Sequence, residues 1–189
     1  MTAAPDPRGD KTLNVAFEAI AESSQSIWLP VRGNSMLPLL RAGDHVLVSP
    51  SRPGLTLGDI VVYQRQGDLF IHRLLAQSDQ NEAGLLIKGD NRLLPDPLIR
   101  VEDILGRAVK LRRERRVMSL ETPAWRLINQ VIARIMLFQA NYLCPRTVAH
   151  PEGSDQFAAS WRSRLGRLTL WALAPILRLA GYSVGRWED

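Results

Sequence analysis

Cysteine is nearly absent. Cys144 is the single one in 189 residues, which excludes an intramolecular disulfide framework and a cysteine-built zinc cage. Histidine is scarce as well: His45, His72 and His150 leave little for a metal site, and no metal or other cofactor is expected. Lysine is confined to Lys11, Lys88 and Lys110, and the other basic residues are arginines, so few side chains can serve as an uncharged amine base. Long apolar runs are missing too. No stretch of about 18 uncharged apolar residues occurs, and residues 1–10 lack the basic start and apolar centre of a secretory signal. The expected location is therefore the cytoplasm, free or resting on a membrane surface.

What is present fits a globular chain. Apolar residues make up 46% and charged residues 23%, which excludes disorder and low complexity, and the length suffices to bury a core without staples. Residues 10–24 read as a short helix capped by Asp10, with Leu13, Phe17, Ile20 and Ala21 on one face. From 27 to 112 the pattern changes to short apolar runs: Ile27–Val31, His45–Val48, Ile60–Tyr63, Leu69–Leu75, Leu85–Ile87 and Ile104–Leu111. Turn pairs such as Gly43-Asp44, Gly58-Asp59, Gly67-Asp68 and Gly89-Asp90 bound them, which predicts a compact all-β unit.

A basic cluster follows, Lys110, Arg112, Arg113, Arg115 and Arg116, against Glu114. It reads as a solvated strand end or as a contact for anionic lipid; without interleaved aromatics, no nucleic-acid partner is expected. Residues 121–143 predict an amphipathic helix with a stripe of Trp125, Ile128, Ile132, Ile135 and Met136, and with Arg126, Asn129, Gln130 and Arg134 elsewhere. A second helical stretch, 161–182, holds the uncharged run 168–177 between Arg162, Arg164, Arg167 and Arg178. It suits an interfacial helix or a helical hairpin packed on the β unit or on a partner, so 121–182 is the candidate for peripheral membrane contact. The expected division is an N-terminal helix and arm at 1–26, a β domain at 27–116 and a helical region at 117–189.

Three segments carry candidate chemistry. Arg32-Gly33-Asn34-Ser35-Met36-Leu37-Pro38 places a hydroxyl on a stiff turn; Phe70-Ile71-His72-Arg73 embeds an imidazole in an apolar strand; Gly89-Asp90-Asn91-Arg92, followed by Pro95-Asp96, supplies carboxylates. A serine hydroxyl needs a base, and a histidine base needs an acceptor that fixes its tautomer. Taken separately these are a capping serine, a core histidine and a hairpin turn; together they make a Ser-His-Asp set.

The segments resemble those of the signal peptidase I superfamily of serine endopeptidases, which also includes the LexA-like self-cleaving repressors. Gly33-Asn-Ser-Met-Leu-Pro38 resembles the nucleophile box, with Ser35 at its serine. Gly58-Asp-Ile-Val-Val-Tyr63 resembles the strand before the base, Phe70-Ile-His-Arg-Leu74 the base box, and Gly89-Asp-Asn-Arg92 and Gly106-Arg-Ala108 the closing motifs. The resemblance covers about residues 27–112. It implies a mainly β, compact coiled fold of the signal peptidase/LexA-like type with a C-terminal α-helical appendage. Bacterial signal peptidases and LexA-like proteins carry a lysine as base; His72 stands there in this chain, as in the archaeal and endoplasmic-reticulum type, and Lys88 lies within the Gly-Asp-Asn box instead.

By this resemblance Ser35 is the nucleophile and His72 the base. Asp96, six residues after Asp90, orients the ring, with Asp90 the supporting or alternative carboxylate. The backbone amide of Ser35, with Asn34, Gly33 and Met36 around it, positions the oxyanion and substrate. The implied activity is cleavage of a leader or signal-type peptide from a precursor, with small side chains preferred before the cut. Gly33 departs from the pattern, since many signal peptidases place a side-chain donor there. The membrane anchor of the exported-protein processors is not expected either, which points to peptide maturation in the cytoplasm. A non-catalytic peptide-binding module is the alternative. A self-cleaving regulator is less expected, because 26 residues before the first strand are too few for a helix-turn-helix domain and the lysine base is missing.

Overall fold

A computed structural model of the chain describes residues 25–50, 54–78, 84–92 and 94–142. The expected helices at 10–24 and 161–182 lie outside these residues.

Among the described residues eight strands form one antiparallel sheet: β1 (Ile27–Pro30), β2 (His45–Ser49), β3 (Ile60–Arg65), β4 (Asp68–Ser78), β5 (Gly84–Lys88), β6 (Ile99–Arg100), β7 (Ile104–Arg113) and β8 (Arg116–Ser119). The helix α1 (Pro123–Tyr142) follows. The chain is thus mainly β with a C-terminal helix, as its turn-punctuated apolar runs predict. The strand order is β1-β2-β7-β3-β4-β5-β6, with β8 also on β7. β7 organises the sheet. One edge takes β2 along 107–112, and the other is divided between β3 at 104–107 and β8 at 110–113. Register shifts at Leu47/Val48, Val62/Tyr63 and Leu74/Ala76 interrupt three of the ladders. Such bulges sharpen local twist and let one sheet curl around its own core.

Two short strands escaped the sequence pattern. β6 has two residues, too few for any period. β8 begins inside the basic cluster, and it straddles the expected boundary between residues 116 and 117, so the sheet runs on to Ser119. Much of the cluster has structural partners. Arg113 grips Asp44 at 2.7 and 2.8 Å and the Leu39 carbonyl, and Arg112 lies 4.6 Å from the centre of the Trp28 ring.

Helix α1 starts where Thr122 accepts from the Trp125 amide (3.3 Å) with Pro123 in the first turn, the usual arrangement at a helix start. Trp125, Ile132, Ala133 and Met136 are buried along one face, and the last three pack on Leu75 of β4. Asn129, assigned by pattern to the polar side, is buried too. The helix comes close to Gly58 (φ +96°), in the turn before β3, where a Cβ would stand 2.6 Å from the Asn129 carbonyl. A side chain at residue 58 would push the helix off.

Candidate active site

The β3–β4 hairpin sets up the site. Its two-residue turn uses Gln66 (φ 53°) and Gly67 (φ 86°), the left-handed pair that a tight hairpin turn needs. That turn pins Arg65 opposite Asp68, hence Tyr63 opposite Phe70 and Val61 opposite His72. These four side chains share one face of the hairpin, because strand side chains alternate. Tyr63 and Phe70 stack with centroids 5.4 Å apart, and His72 tilts against both. The imidazole is 2% exposed.

Ser35 comes from the loop between β1 and β2. Its Oγ lies 3.0 Å from His72 Nε2. The Gly89–Arg92 turn holds the loop: the Asn91 amide donates to the Ser35 carbonyl (2.7 Å), and Asn91 Nδ2 donates to the Asn34 carbonyl (3.1 Å). Gly89 is required by this approach. A Cβ there would sit 2.8 Å from the Ser35 carbonyl oxygen and 3.0 Å from His72 Nε2.

Asp96 stands on the other side of the ring, its Oδ2 2.6 Å from His72 Nδ1. Its own amide donates to the Ile87 carbonyl (2.8 Å), which fastens the loop after β5 to that strand. Burial, the largest single influence on this carboxyl, raises its pKa. Hydrogen bonding and charge from His72, a hydrogen bond from Tyr63 and the Arg92 charge together outweigh burial and hold it below the ordinary carboxylate value. An ionised carboxylate only accepts, so the Nδ1 proton points at Asp96, and whenever the ring is neutral its lone pair is on Nε2, toward the Ser35 hydroxyl. The Tyr63 hydroxyl, 3.2 Å from Nδ1, finds no lone pair there and donates to Asp96. Burial pushes the Tyr63 phenol well above its usual value, and Asp96 adds to the shift.

Asp90 does not reach the ring. It takes Arg73 Nε and Nη2 at 2.8 Å each, while Arg73 Nη1 donates to Asn129 Oδ1 (2.8 Å) and the Gly58 carbonyl (3.0 Å). Arg73 is fully buried and Asp90 nearly so. Adjacent residues of β4 therefore face opposite ways, His72 toward Ser35 and Asp96, Arg73 toward Asp90 and the helix. Lys88 is buried opposite Arg73 in β5. The sequence reading missed Tyr63, Arg73 and Asn129; a buried-pattern strand carrying an arginine beside the histidine was the available signal.

Of the residues expected around the oxyanion, Gly33 and Asn34 are exposed on the turn. The Ser35 amide has no acceptor among the described residues. Met36 is 1% exposed, and its Sδ accepts from the Asp90 amide (3.5 Å). It forms part of the floor of a cavity of about 250 Å³ that opens beside Ser35 and His72. Leu29–Arg32 and Leu69–Ile71 face this cavity. Among the described residues both strands have unpaired edges there: β1 bonds only β2, and β4 gains β5 only from Arg73 onward. Among the described residues no group of three or more His, Cys, Asp or Glu side chains could hold a metal.

A coiled antiparallel sheet with a serine loop, a histidine strand and an aspartate loop meeting at an open groove places the chain in the LexA/signal peptidase I superfamily. Residues 2–109, more than half of the chain, match the family model described as Peptidase S24-like, and the chain belongs to that family. The family includes serine peptidases and self-cleaving regulators. No curated protein matches the chain.

Proposed function

We propose that this protein is a serine endopeptidase of the histidine-base type that cuts a leader or signal-type peptide from a precursor. One observation carries the reading: the contacts run unbroken from Ser35 Oγ to His72 Nε2 (3.0 Å) and from His72 Nδ1 to Asp96 (2.6 Å), beside an open groove. Ser35 Oγ attacks the scissile carbonyl as His72 Nε2 takes its proton, and Asp96 balances the imidazolium. The Ser35 amide donates to the oxyanion. The C–N bond then breaks as His72 returns the proton to the leaving amine. Water, deprotonated by the same ring, hydrolyses the ester and frees Ser35. An extended peptide completes the open edges of β1 and of residues 68–72 with main-chain hydrogen bonds.

In this reading residues 27–116 are the core of the catalytic unit, and 117–189 supply a peripheral contact with membrane or a partner. α1 presents Leu127 and Val131 outward, and no helix among the described residues is long and apolar enough to cross a bilayer. Gly33 is the observation that favours the second reading, a peptide-binding module. With no side chain there, one oxyanion donor is absent, and such a loss costs about 100- to 1000-fold in rate.

A fluorophosphonate probe decides between them. Covalent labelling mapped to Ser35, lost in Ser35→Ala and His72→Ala with circular dichroism unchanged, is the expected result. A folded wild-type protein whose Ser35 stays unlabelled overturns the peptidase reading in favour of the binding module. Incubating the purified chain alone and sizing it tests the self-cleaving regulator, for which no scission is expected.

A further inference from the structure

Charge at the groove bears on what it accepts, an inference that rests on the peptidase reading for its substrate but not for its binding test. The cavity beside Ser35 has an apolar floor that includes Leu29, Val31 and Met36. Among the residues lining it, Arg32 and Arg92 carry permanent charge, and no carboxylate is present. Arg32 directly precedes Gly33, and Arg92 closes the turn that holds Ser35. Both are exposed. Neither has an ion-pair partner among the described residues, although Arg41, Arg73, Arg100, Arg107, Arg113 and Arg126 all do.

Asp96 does not line the groove: its carboxylate sits against His72 Nδ1, on the side of the ring away from Ser35, and although the Arg92 charge reaches it, the two form no ion pair. Two arginines thus border a mostly apolar trough that Ser35 and His72 also line. Planar bidentate donors of this kind match a carboxylate, and a peptide laid in the trough would bring one partly out of water, where the pairing strengthens.

We infer that the groove selects peptides with an aspartate or glutamate side chain within about two residues of the bond placed at Ser35, held by Arg32 and Arg92. The class of substrate is thus an acidic segment with apolar flanks, rather than one defined by small side chains alone.

The test uses the full-length Ser35→Ala protein, immobilised and incubated with a defined library of amidated peptides. In it each acidic position is matched by a sequence bearing asparagine or glutamine. Wild-type protein is incubated with the same library to map cleavage. Retained peptides are expected to favour the acid over the matched amide by about fivefold or more, a preference in the upper range of an incompletely buried ion pair. The preference is expected to shrink in 0.5 M salt, to vanish in the Arg32→Gln/Arg92→Gln double variant, and to persist in Arg115→Gln/Arg116→Gln, which removes the same amount of positive charge from the β7–β8 turn and the start of β8, residues that do not line the groove.

Equal retention of acid and amide peptides overturns the inference. So does retention of neither, or a preference that survives in the first double variant or disappears in the second. If the same peptides without the terminal amide are retained regardless of acidic side chains, the arginines serve a chain terminus, and the inference fails. Cleavage without acid preference leaves the peptidase reading standing and defeats this one. Acid-selective retention with an unlabelled, uncleaving wild-type protein does the reverse.

Discussion

Asp96 and Asp90 lie six residues apart in one loop region, and replacing each by asparagine separates their roles. Asp96→Asn keeps the shape but ends the obligatory acceptance at Nδ1. The asparagine amide can turn its NH₂ toward the ring, which moves the imidazole proton to Nε2, where it faces Ser35 and cannot take the hydroxyl proton. A wrong tautomer of this kind costs about 10⁴-fold in turnover in a serine peptidase. The stability cost is small, about 1–2 kcal/mol for weakening one charged hydrogen bond at a carboxyl that is 10% exposed. Asp90→Asn leaves the Arg73 guanidinium, 0% exposed, without its counter-charge. Breaking such a buried pair costs about 3–5 kcal/mol, with Ser35, His72 and Asp96 untouched. Urea midpoints and the second-order rate of fluorophosphonate labelling, both measured on the two variants, make the comparison. The expected outcome is a nearly normal midpoint with labelling all but abolished for Asp96→Asn, and a strongly lowered midpoint with labelling retained by the folded fraction for Asp90→Asn. Normal labelling of Asp96→Asn, or the reverse pattern, refutes the assignment.

Tyr63→Phe removes the second donor to Asp96 and is expected to reduce labelling about tenfold, a loss of about 1.4 kcal/mol, while the fold persists; an unchanged rate would remove Tyr63 from the site. Asp96 also links stability to pH. Because its native pKa is lowered, its contribution is complete above the ordinary carboxylate value and is lost as pH falls through the lowered native one. Urea midpoints of wild type and Asp96→Asn should therefore converge in acid, and a gap that widens there contradicts the sign. Gly89→Ala would force a methyl against the Ser35 carbonyl and His72 Nε2; a displacement of that order costs about 100-fold in rate, and an active variant would refute the close approach. Asn129→Ala leaves Arg73 Nη1 one bond short, with an expected loss of about 1–3 kcal/mol in urea unfolding and labelling largely unchanged; a loss below about 0.5 kcal/mol would show that the bond contributes nothing.

The β runs, the turns between them and the helix from 121 to 143 were legible because each has a local cause: alternation, Gly-Asp turns, and a 3.6-residue stripe. β6 was not, since two residues have no period, and β8 was hidden by the arginines at its start. Ser35 and His72 stood out through their short motifs. Asn129 misled the pattern because its polarity says nothing about a partner 56 positions away. For the two aspartates six residues apart, the family resemblance favoured Asp96 but left Asp90 as an alternative; what each meets separates them, His72 Nδ1 for Asp96 and Arg73 for Asp90.

The residues alone determined that this chain builds a turn-punctuated β domain with a helix behind it, and that a hydroxyl, an imidazole and a carboxylate are available to it. Hydrophobic period and turn chemistry are properties of neighbours along the chain, so they survive without a third dimension. Only the tertiary structure decided which carboxylate faces the ring, that Arg73 ties Asp90 to the helix, and that two arginines overlook the groove. These depend on strand register and loop closure, which bring distant residues within hydrogen-bond reach, and contact at that range is where charge and proton position acquire their meaning.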